Sequence, residues 1–324
     1  MEQRHLGSTG LRVSRLALGT MTWGRDTDEH ESADQLRAFV DAGGTLLDTA
    51  ASYGDGESES VIGALLGNVV AREDVVLATK AGIDRRTGNR EVDTSRRAML
   101  DALDRSLGRL GTDHVDLWQV HTWSDAAPLE ETLSALDAAV TSGRTRYVGI
   151  SNYAGWQTGR AVTHQQAWPG RALIASTQME YSLLARGVER EVLPAARALG
   201  LGFLPWSPLG RGVLTGKYRT GVPADSRAAS PHFAPFVESY LDDPCRRVVD
   251  AVVTAADGLG VSPVEVSLVW VRDRPGVTAP VVGARTAAQL RGVLTCEHVE
   301  LPAEIRSALD DVSAPPVGYP DAGA

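Results

Sequence analysis

The chain has 324 residues, of which 43% are hydrophobic and 23% are charged, and its formal net charge is −9. This composition is typical of a globular protein that buries a large core, and the length fits one α/β barrel. The acidic balance argues against nucleic acid or an anionic membrane as a partner. The N-terminus lacks the apolar run of a signal peptide, and no run of about 18 apolar residues could span a bilayer. We therefore expect a cytoplasmic protein without a membrane or nucleic-acid partner.

The chain contains two cysteines, Cys245 and Cys296, which lie far apart and outside any cysteine or histidine motif. This spacing argues against a disulfide framework and against a structural zinc site. We expect no metal.

A hairpin is predicted at the start, where residues 4–6 and 11–13 flank a turn-rich tetrad. Short apolar runs then alternate with longer amphipathic stretches, which indicates βα units and a parallel sheet. Eight such runs predict a closed barrel. The predicted strands are residues 16–20, 45–48, 75–80, 115–121, 147–151, 176–180, 202–206 and 279–283.

Amphipathic stretches between these runs are predicted as helices. They cover residues 31–42, 57–66, 94–110, 129–142, 156–166, 188–199, 245–259 and 287–294, with extra helices at 263–272 and 302–312. Residues 207–243 show no clear period, and a loop of this length in a compact domain is usually functional. We expect the part at 218–243 to cover a site. The tail, from about residue 314 to 324, is rich in proline and predicted to be irregular.

The predicted fold class is α/β, a (β/α)8 TIM barrel with an N-terminal β-hairpin and extra helices, formed by residues 1–324 as a single domain. In such a barrel the carboxyl ends of the strands form the active face. Polar and titratable residues stand at these ends along almost the whole chain. They are Gly19-Thr20-Met21, Asp48, Lys80, His121, Ser151-Asn152, Gln178, Trp206-Ser207 and Gly283.

Three of these positions, Asp48, Lys80 and His121, predict acid–base chemistry together with Tyr53, which follows Asp48 by five residues. A free tyrosine has a pKa of about 10, and a nearby ammonium lowers it by stabilising the phenolate. We expect Lys80 to do this for Tyr53, with Asp48 holding Lys80 in place and His121 donating a hydrogen bond to a substrate carbonyl oxygen. Each residue alone has a plainer interpretation as packing, a turn cap or a solvated charge. Their positions on successive strands predict a catalytic tetrad.

The same residues resemble a known family, the aldo-keto reductase superfamily. The matching motifs are Asp48-Thr49-Ala50 with Tyr53-Gly54 and Glu57…Glu59, Thr79-Lys80, Asp116-Leu117 with Gln119-Val120-His121, Gly149-Ile150-Ser151-Asn152, Gln178, Trp206-Ser207-Pro208-Leu209-Gly210-Arg211-Gly212 with Leu214-Thr215-Gly216-Lys217, and Gly283-Ala284-Arg285 with Gln289. The resemblance runs from Leu6 to about Val312. It is greatest to bacterial members related to potassium-channel β subunits.

The resemblance implies NADPH-dependent hydride transfer to an aldehyde or ketone, reversible to alcohol oxidation, with Tyr53 as the general acid. It implies that Ser151, Asn152 and Gln178 hold the nicotinamide carboxamide and that Trp206 stacks on the nicotinamide ring. Other implied cofactor contacts lie at strand ends, along the pyrophosphate and at the adenosine end. They are Gly19, Thr20, Met21, Asp48, Ser207, Pro208, Leu209, Gly210, Arg211, Gly212, Lys217, Gly283, Arg285 and Gln289.

Elementary chemistry supports a phosphate-rich cofactor. Glycines in the loop allow backbone N–H groups to approach phosphate oxygens, and Arg211 and Lys217 add positive charge to an acidic chain. Arg285 precedes a predicted helix N-terminus, and its planar guanidinium suits a 2′-phosphate. We therefore expect NADPH rather than NADH. Relatives place an acidic residue and an asparagine where this chain has Gly292 and Val293, which predicts weaker adenine contacts.

For the substrate we expect a small carbonyl compound at an opening ringed by Trp23, Tyr53 and Trp123, beside His121. Two other hypotheses stay open. One is a nicotinamide-sensing regulatory subunit similar to channel β subunits. The other is a metal-assisted barrel hydrolase using Asp48 and His121. The sequence determines neither the natural substrate nor the physiological direction, and it leaves a homo-oligomer open.

Overall fold

The computed structural model describes residues 1–84, 89–224, 226–230, 234–316 and 318. Within these residues the chain forms twelve strands, many of them short. They are β1 (Gln3–His5), β2 (Arg12–Ser14), β3 (Ala17–Gly19), β4 (Leu46–Asp48), β5 (Val76–Ala81), β6 (Ile83–Asp84), β7 (Glu91–Val92), β8 (Val115–Val120), β9 (Thr145–Ser151), β10 (Ile174–Glu180), β11 (Gly202–Trp206) and β12 (Val281–Val282).

Eight of the described strands close a parallel barrel in the order β3-β4-β5-β8-β9-β10-β11-β12. All eight predicted strands are present, and the last is shorter than predicted, since it covers only Val281–Val282. The first two strands form the predicted antiparallel hairpin. Leu6 and Val13 from this hairpin pack with inward-facing strand residues such as Ala17 and Leu46, so the hairpin covers the amino-terminal end of the barrel. The opposite, carboxyl end therefore carries the polar strand ends.

The α-helices of the described residues lie around this barrel. They are α1 (Glu29–Asp41), α2 (Glu57–Leu65), α3 (Arg96–Leu110), α4 (Leu129–Thr141), α5 (Gly155–Gln166), α6 (Val192–Ala198), α7 (Ala234–Glu238), α8 (Asp243–Leu259), α9 (Pro263–Arg272), α10 (Ala287–Leu294) and α11 (Ala303–Val312). Local chemistry sets several of their ends. The Asp28 carboxylate caps α1 by accepting from the Glu31 amide, and Ser262 and Glu265 form a capping box at α9.

The structure differs from the predicted elements in three places. The predicted helix at 188–199 is divided into a 3₁₀ turn at Gly187–Glu189 and α6, because Pro194 lacks the N–H that a helix running through would need. A two-stranded sheet, β6 with β7, was missed after β5. The stretch at 207–243 contains the 3₁₀ segment Gly210–Thr215 and the short helix α7, although its hydrophobic residues show no helical periodicity that would predict them.

The tail is irregular at residues 314–316, as predicted, while residues 317 and 319–324 lie outside the described part. Residues 225 and 231–233 of the predicted long loop also lie outside it. Among the described residues, no single helix is both long and apolar enough to cross a membrane. Helices α8 and α9 pass that test of length and composition only when taken together, and they are bent by 102° at their junction.

Candidate active site

The carboxyl ends of β4, β5 and β8 bring the four predicted acid–base residues together. Asp48 is the last residue of β4, Lys80 lies near the end of β5, and His121 follows β8 directly. Tyr53 opens a short 3₁₀ turn between β4 and α2. Because neighbouring parallel strands end at the same edge, these side chains meet across the mouth of the barrel.

The ammonium of Lys80 is the centre of this group. Its Nζ donates to Asp48 Oδ2 at 2.6 Å and to the Thr49 carbonyl oxygen at 2.8 Å, and it lies 3.5 Å from the Tyr53 hydroxyl oxygen. Gln178 Nε2 donates to the other Asp48 oxygen at 2.8 Å. Lys80 is 1% exposed, so the ion pair lies inside the protein and is hydrogen-bonded on both sides.

The electrostatics of Tyr53 correct one expectation. Burial raises the pKa of the phenol above its ordinary value, the Lys80 ammonium lowers it, and the Asp48 carboxylate raises it again. The net effect is an increase, whereas we expected Lys80 to lower the pKa. The physical reason is that Asp48 neutralises much of the Lys80 charge while burial disfavours the phenolate. For Lys80, burial lowers the pKa, but Asp48 and Tyr53 together outweigh it, so the ammonium keeps its proton.

His121 lies beside the phenol. Its ring meets the Tyr53 ring edge to face, with centroids 5.9 Å apart and an interplanar angle of 79°. Its Nδ1 lies 3.4 Å from Ser52 Oγ, and its backbone carbonyl accepts from Asn152 Nδ2 at 2.9 Å. The imidazole thus contacts Ser52 through Nδ1 and packs against the proton-donor candidate, while Asn152 binds the His121 backbone.

The three residues expected at the nicotinamide carboxamide form one network with Trp206. Ser151 Oγ donates to the Gln178 carbonyl at 2.9 Å, and Asn152 Nδ2 donates to Ser151 Oγ at 3.1 Å. The Asn152 side-chain oxygen accepts from Trp206 Nε1 at 3.1 Å, and Asn152 itself takes a left-handed backbone conformation with φ of 57°. Asn152 therefore orients Trp206, and Gln178 connects the network to Asp48.

The loop after β11 runs through several left-handed residues, including Ser207 with φ of 51° and Gly212 with φ of 95°. Arg211, which we expected to add positive charge for a phosphate, is paired inside the protein. Its guanidinium forms a two-point ion pair with Glu180, at 2.8 and 2.6 Å, donates to the Phe236 carbonyl and lies 3.9 Å from the centre of the Phe236 ring. The Glu180 carboxylate, which our sequence interpretation did not consider, neutralises the charge that we expected to meet phosphate.

Phe236 in turn stacks on Trp206 with centroids 6.4 Å apart and planes 16° apart. Tyr240 donates to Glu180 at 3.0 Å and completes this contact between the loop and the barrel. Pro208, Leu209 and Gly210 lie in the same turn, at the start of the 3₁₀ segment Gly210–Thr215. Lys217 is exposed, and its ammonium lies 5.2 Å from the centre of the Tyr218 ring.

The expected adenosine end lies at the start of α10. Gln289 Oε1 accepts from the Arg285 amide at 3.0 Å, and the Gln289 amide donates to Thr286, which caps the helix. The Arg285 guanidinium makes no hydrogen bond or ion pair within the described part of the chain. Gly283, between β12 and this cap, is exposed. A cationic group at a helix N-terminus is thus left available for an anion.

The first strand ends at Gly19, where a Cβ would lie 2.8 Å from Val281. Thr20 is buried and donates to the Asp48 carbonyl at 3.2 Å, and Met21 is half-buried next to it. Gly19, Thr20 and Met21 therefore lie at the mouth of the barrel. The Thr20 hydroxyl is buried there and binds the backbone of Asp48.

The two tryptophans expected at the opening have different surroundings. Trp23 is 0% exposed, and its indole donates to Gln35 of α1 at 3.1 Å, so it belongs to the core between the barrel and α1. The prediction for Trp23 was wrong, because this side chain, four residues beyond the end of β3, points into the core. Trp123 is half-buried and meets Tyr153 and Trp156 edge to face, at 5.1 and 5.4 Å between ring centroids. Trp156 is 60% exposed and extends this aromatic wall.

No group of three or more His, Cys, Asp or Glu side chains that could hold a metal ion occurs among the described residues. Both oxygens of Asp48 are bound, by Lys80 and Gln178. The hydrolase hypothesis is therefore left without the free carboxylate that a metal at this site would need.

Comparison with known proteins agrees with this geometry. Residues 15–314 match the aldo/keto reductase family. The chain belongs to this family. The uncharacterized oxidoreductase YrpG of Bacillus subtilis (strain 168) is 37% identical over 98% of this chain and 98% of its own length. A probable voltage-gated potassium channel subunit beta of Oryza sativa subsp. japonica is 34% identical over 90% and 89%, and L-glyceraldehyde 3-phosphate reductase of Escherichia coli (strain K12) is 34% identical over 90% and 86%.

Membership of the aldo/keto reductase family makes the chain an NAD(P)H-dependent oxidoreductase. The closed barrel and the N-terminal hairpin confirm the predicted TIM-barrel fold. The sequence interpretation missed several residues that complete the site, namely Thr49 through its carbonyl, Ser52 beside His121 and Glu180 beside Arg211. Thr49 and Ser52 lie in the segment between Asp48 and Tyr53, which points to the site, but no sequence signal pairs Glu180 with Arg211.

Proposed function

We propose that this aldo/keto reductase uses NADPH to reduce an aldehyde or ketone to an alcohol, reversibly, with Tyr53 as the general acid. The observation that carries the proposal is the position of the Lys80 ammonium, between the Asp48 carboxylate at 2.6 Å and the Tyr53 phenol oxygen at 3.5 Å. A buried ammonium at that place stabilises negative charge that develops on the phenol oxygen when it gives up its proton.

Four features of the chain fit a nicotinamide cofactor. The Ser151–Asn152–Gln178 network presents polar groups beside the tetrad, and the half-buried Trp206 ring offers an aromatic face. Positive φ angles at Ser207 and Gly212 open the loop backbone to close approach. The guanidinium of Arg285, which has no hydrogen-bond or ion-pair partner among the described residues, favours a 2′-phosphate and hence NADPH over NADH. When bound, NADPH supplies the hydride.

The chain's own residues supply the proton and orient the carbonyl. In reduction a C–H bond forms at the carbonyl carbon, and an O–H bond forms at its oxygen with the proton that leaves Tyr53. The resulting phenolate faces Lys80, which is held by Asp48 and Thr49. His121, fixed edge to face against Tyr53, donates to the same carbonyl oxygen and limits its orientation. The raised pKa of Tyr53 keeps the phenol protonated at neutral pH, as a general acid requires.

The first test is NADPH oxidation with a panel of aliphatic and aromatic aldehydes, for the wild type and Tyr53→Phe. Removing the proton donor is expected to lower turnover about 100- to 10,000-fold while NADPH affinity stays unchanged. The proposal is contradicted if the wild type reduces none of these aldehydes, or if Tyr53→Phe keeps full activity.

A second candidate function is a regulatory nicotinamide-binding subunit. The observation in its favour is the 34% identity to a protein named as a probable potassium channel subunit beta, which covers 89% of that relative. This candidate predicts tight NADPH binding without appreciable turnover of any carbonyl. The same assay therefore separates the two functions.

A further inference from the structure

The turn that carries Tyr53 has a strained backbone. Gly54, Asp55 and Gly56 follow Tyr53 with φ angles of 56°, 55° and 101°, so three successive residues take left-handed conformations. Asp55 is not a glycine and adopts this conformation at a cost. Such a backbone persists only where surrounding contacts hold it. The position of the Tyr53 hydroxyl therefore depends on whatever packs against this turn.

The group that packs against the turn is the guanidinium of Arg109, from α3. A Cβ on Gly56 would lie 2.3 Å from Arg109 Cζ and 2.4 Å from its Nε, so the guanidinium occupies the place that any side chain at residue 56 would take. The left-handed φ of Gly56 favours glycine, and the absence of a side chain there leaves room for the guanidinium. Arg109 thus supports the turn directly, three residues from Tyr53.

Arg109 is fixed by Glu59, whose carboxylate is 0% exposed. Arg109 Nη1 donates to Glu59 Oε2 at 3.0 Å, and Thr79 Oγ1 donates to Glu59 Oε1 at 2.6 Å. Thr79 precedes Lys80 in β5. One buried carboxylate therefore joins the support of the Tyr53 turn to the strand that carries the lysine. A buried carboxylate is stable only when its charge is compensated, which makes Glu59 and Arg109 depend on each other.

Ser58 fixes the first turn of α2, which directly follows the turn that carries Tyr53. Its hydroxyl donates to the Thr20 carbonyl at 2.8 Å and lies 3.0 Å from Thr49 Oγ1. The start of α2 is thus bound to β3, β4, β5 and α3 by side chains that do not reach the reacting atoms.

We propose that Glu59 and Arg109 are positioning residues for Tyr53, which set the distance between the phenol and the Lys80 ammonium. The inference rests on the proposed role of Tyr53 as the general acid. Without the ion pair, the turn relaxes from its left-handed conformation and the hydroxyl leaves its place between Lys80 and His121.

The test compares Glu59→Gln and Arg109→Met with the control Arg105→Met. Arg105 lies one helical turn earlier on α3 and is exposed, so it shares the residue type and the helix but not the contact. A misplaced proton donor is expected to lower kcat about 10- to 100-fold. Affinity for NADPH, followed by fluorescence titration, stays within about twofold of the wild type because the cofactor residues are untouched.

The readout that separates positioning from loss of folded protein is the solvent isotope effect, measured as kcat in H2O against D2O. Partial unfolding lowers the amount of active enzyme and leaves the isotope effect unchanged. Misplacement of the phenol makes proton transfer slower, so the isotope effect rises in both variants. Arg109→Lys keeps the charge without the planar group and is expected to recover part of the lost kcat.

Thr79→Val keeps the side-chain volume and removes only the hydrogen bond to Glu59, so it serves where Glu59→Gln does not fold. If Arg109→Met and Thr79→Val match Arg105→Met in kcat and isotope effect while Tyr53→Phe is inactive, the inference is overturned and the proposed function stands. If the wild type reduces no carbonyl, the proposed function fails and this inference fails with it.

Discussion

Replacing Lys80 with methionine removes the ammonium and keeps most of the side-chain volume. The substitution removes three contacts of Lys80 Nζ: a 2.6 Å hydrogen bond to Asp48, a 2.8 Å hydrogen bond to the Thr49 carbonyl and a 3.5 Å contact with the Tyr53 hydroxyl. Asp48 is 3% exposed, so its carboxylate would remain buried with only the bond from Gln178 described for it. Removing one partner of a buried ion pair costs about 3–5 kcal/mol in the free energy of unfolding.

Tyr53→Phe provides the matched comparison, because it removes only the hydroxyl. Among the described residues, that hydroxyl has one weak hydrogen bond, from Lys80 at 3.5 Å. We expect it to lower the free energy of unfolding by at most about 1 kcal/mol. Both variants should lower kcat by about 100- to 10,000-fold. In Tyr53→Phe the proton is missing, and in Lys80→Met the charge that stabilises the phenolate is missing.

Urea denaturation measures the two stabilities, and NADPH oxidation with one good aldehyde measures the two rates. The expected pattern is a shared loss of turnover with a loss of stability in Lys80→Met alone. The reasoning is refuted if Tyr53→Phe is destabilised as much as Lys80→Met. It is also refuted if Lys80→Met keeps more than about a tenth of wild-type kcat.

Three further predictions follow from other parts of the site. Because the pKa of Tyr53 is raised, the folded chain keeps a proton that the unfolded chain loses near pH 10. The free energy of unfolding, measured by urea denaturation, should therefore fall as the pH rises above about 10, and it should fall less steeply in Tyr53→Phe. Arg211→Met should expose the segment around α7 to limited proteolysis and cost about 1.5–3 kcal/mol, whereas Arg219→Met, which breaks an exposed pair, should cost at most about 1 kcal/mol. Arg285→Leu should weaken NADPH binding about 10- to 100-fold and leave NADH binding and stability unchanged, and an equal loss for both cofactors would show that Arg285 does not read the 2′-phosphate.

The sequence by itself determined the order of the eight barrel strands and the positions of Asp48, Lys80 and His121 at their carboxyl ends. These follow from local information, since apolar runs set the strands and the register of a parallel barrel brings successive strand ends to one face. Three residues that end or follow neighbouring strands must then meet. Tyr53 followed with them, because it lies only five residues beyond Asp48.

The tertiary structure alone decided where each side chain points and what it meets. Trp23 and Trp123 both follow strand ends, yet the first is buried against α1 and the second joins the aromatic wall. Arg211 pairs with Glu180, and Asn152 accepts a hydrogen bond from Trp206. Both contacts join residues that are distant in the chain. Composition and period carry no information on such pairings, because they depend on rotamers and on the backbone angles of loops. The net pKa of Tyr53 depends on burial and on two opposing charges, so it too required the assembled site.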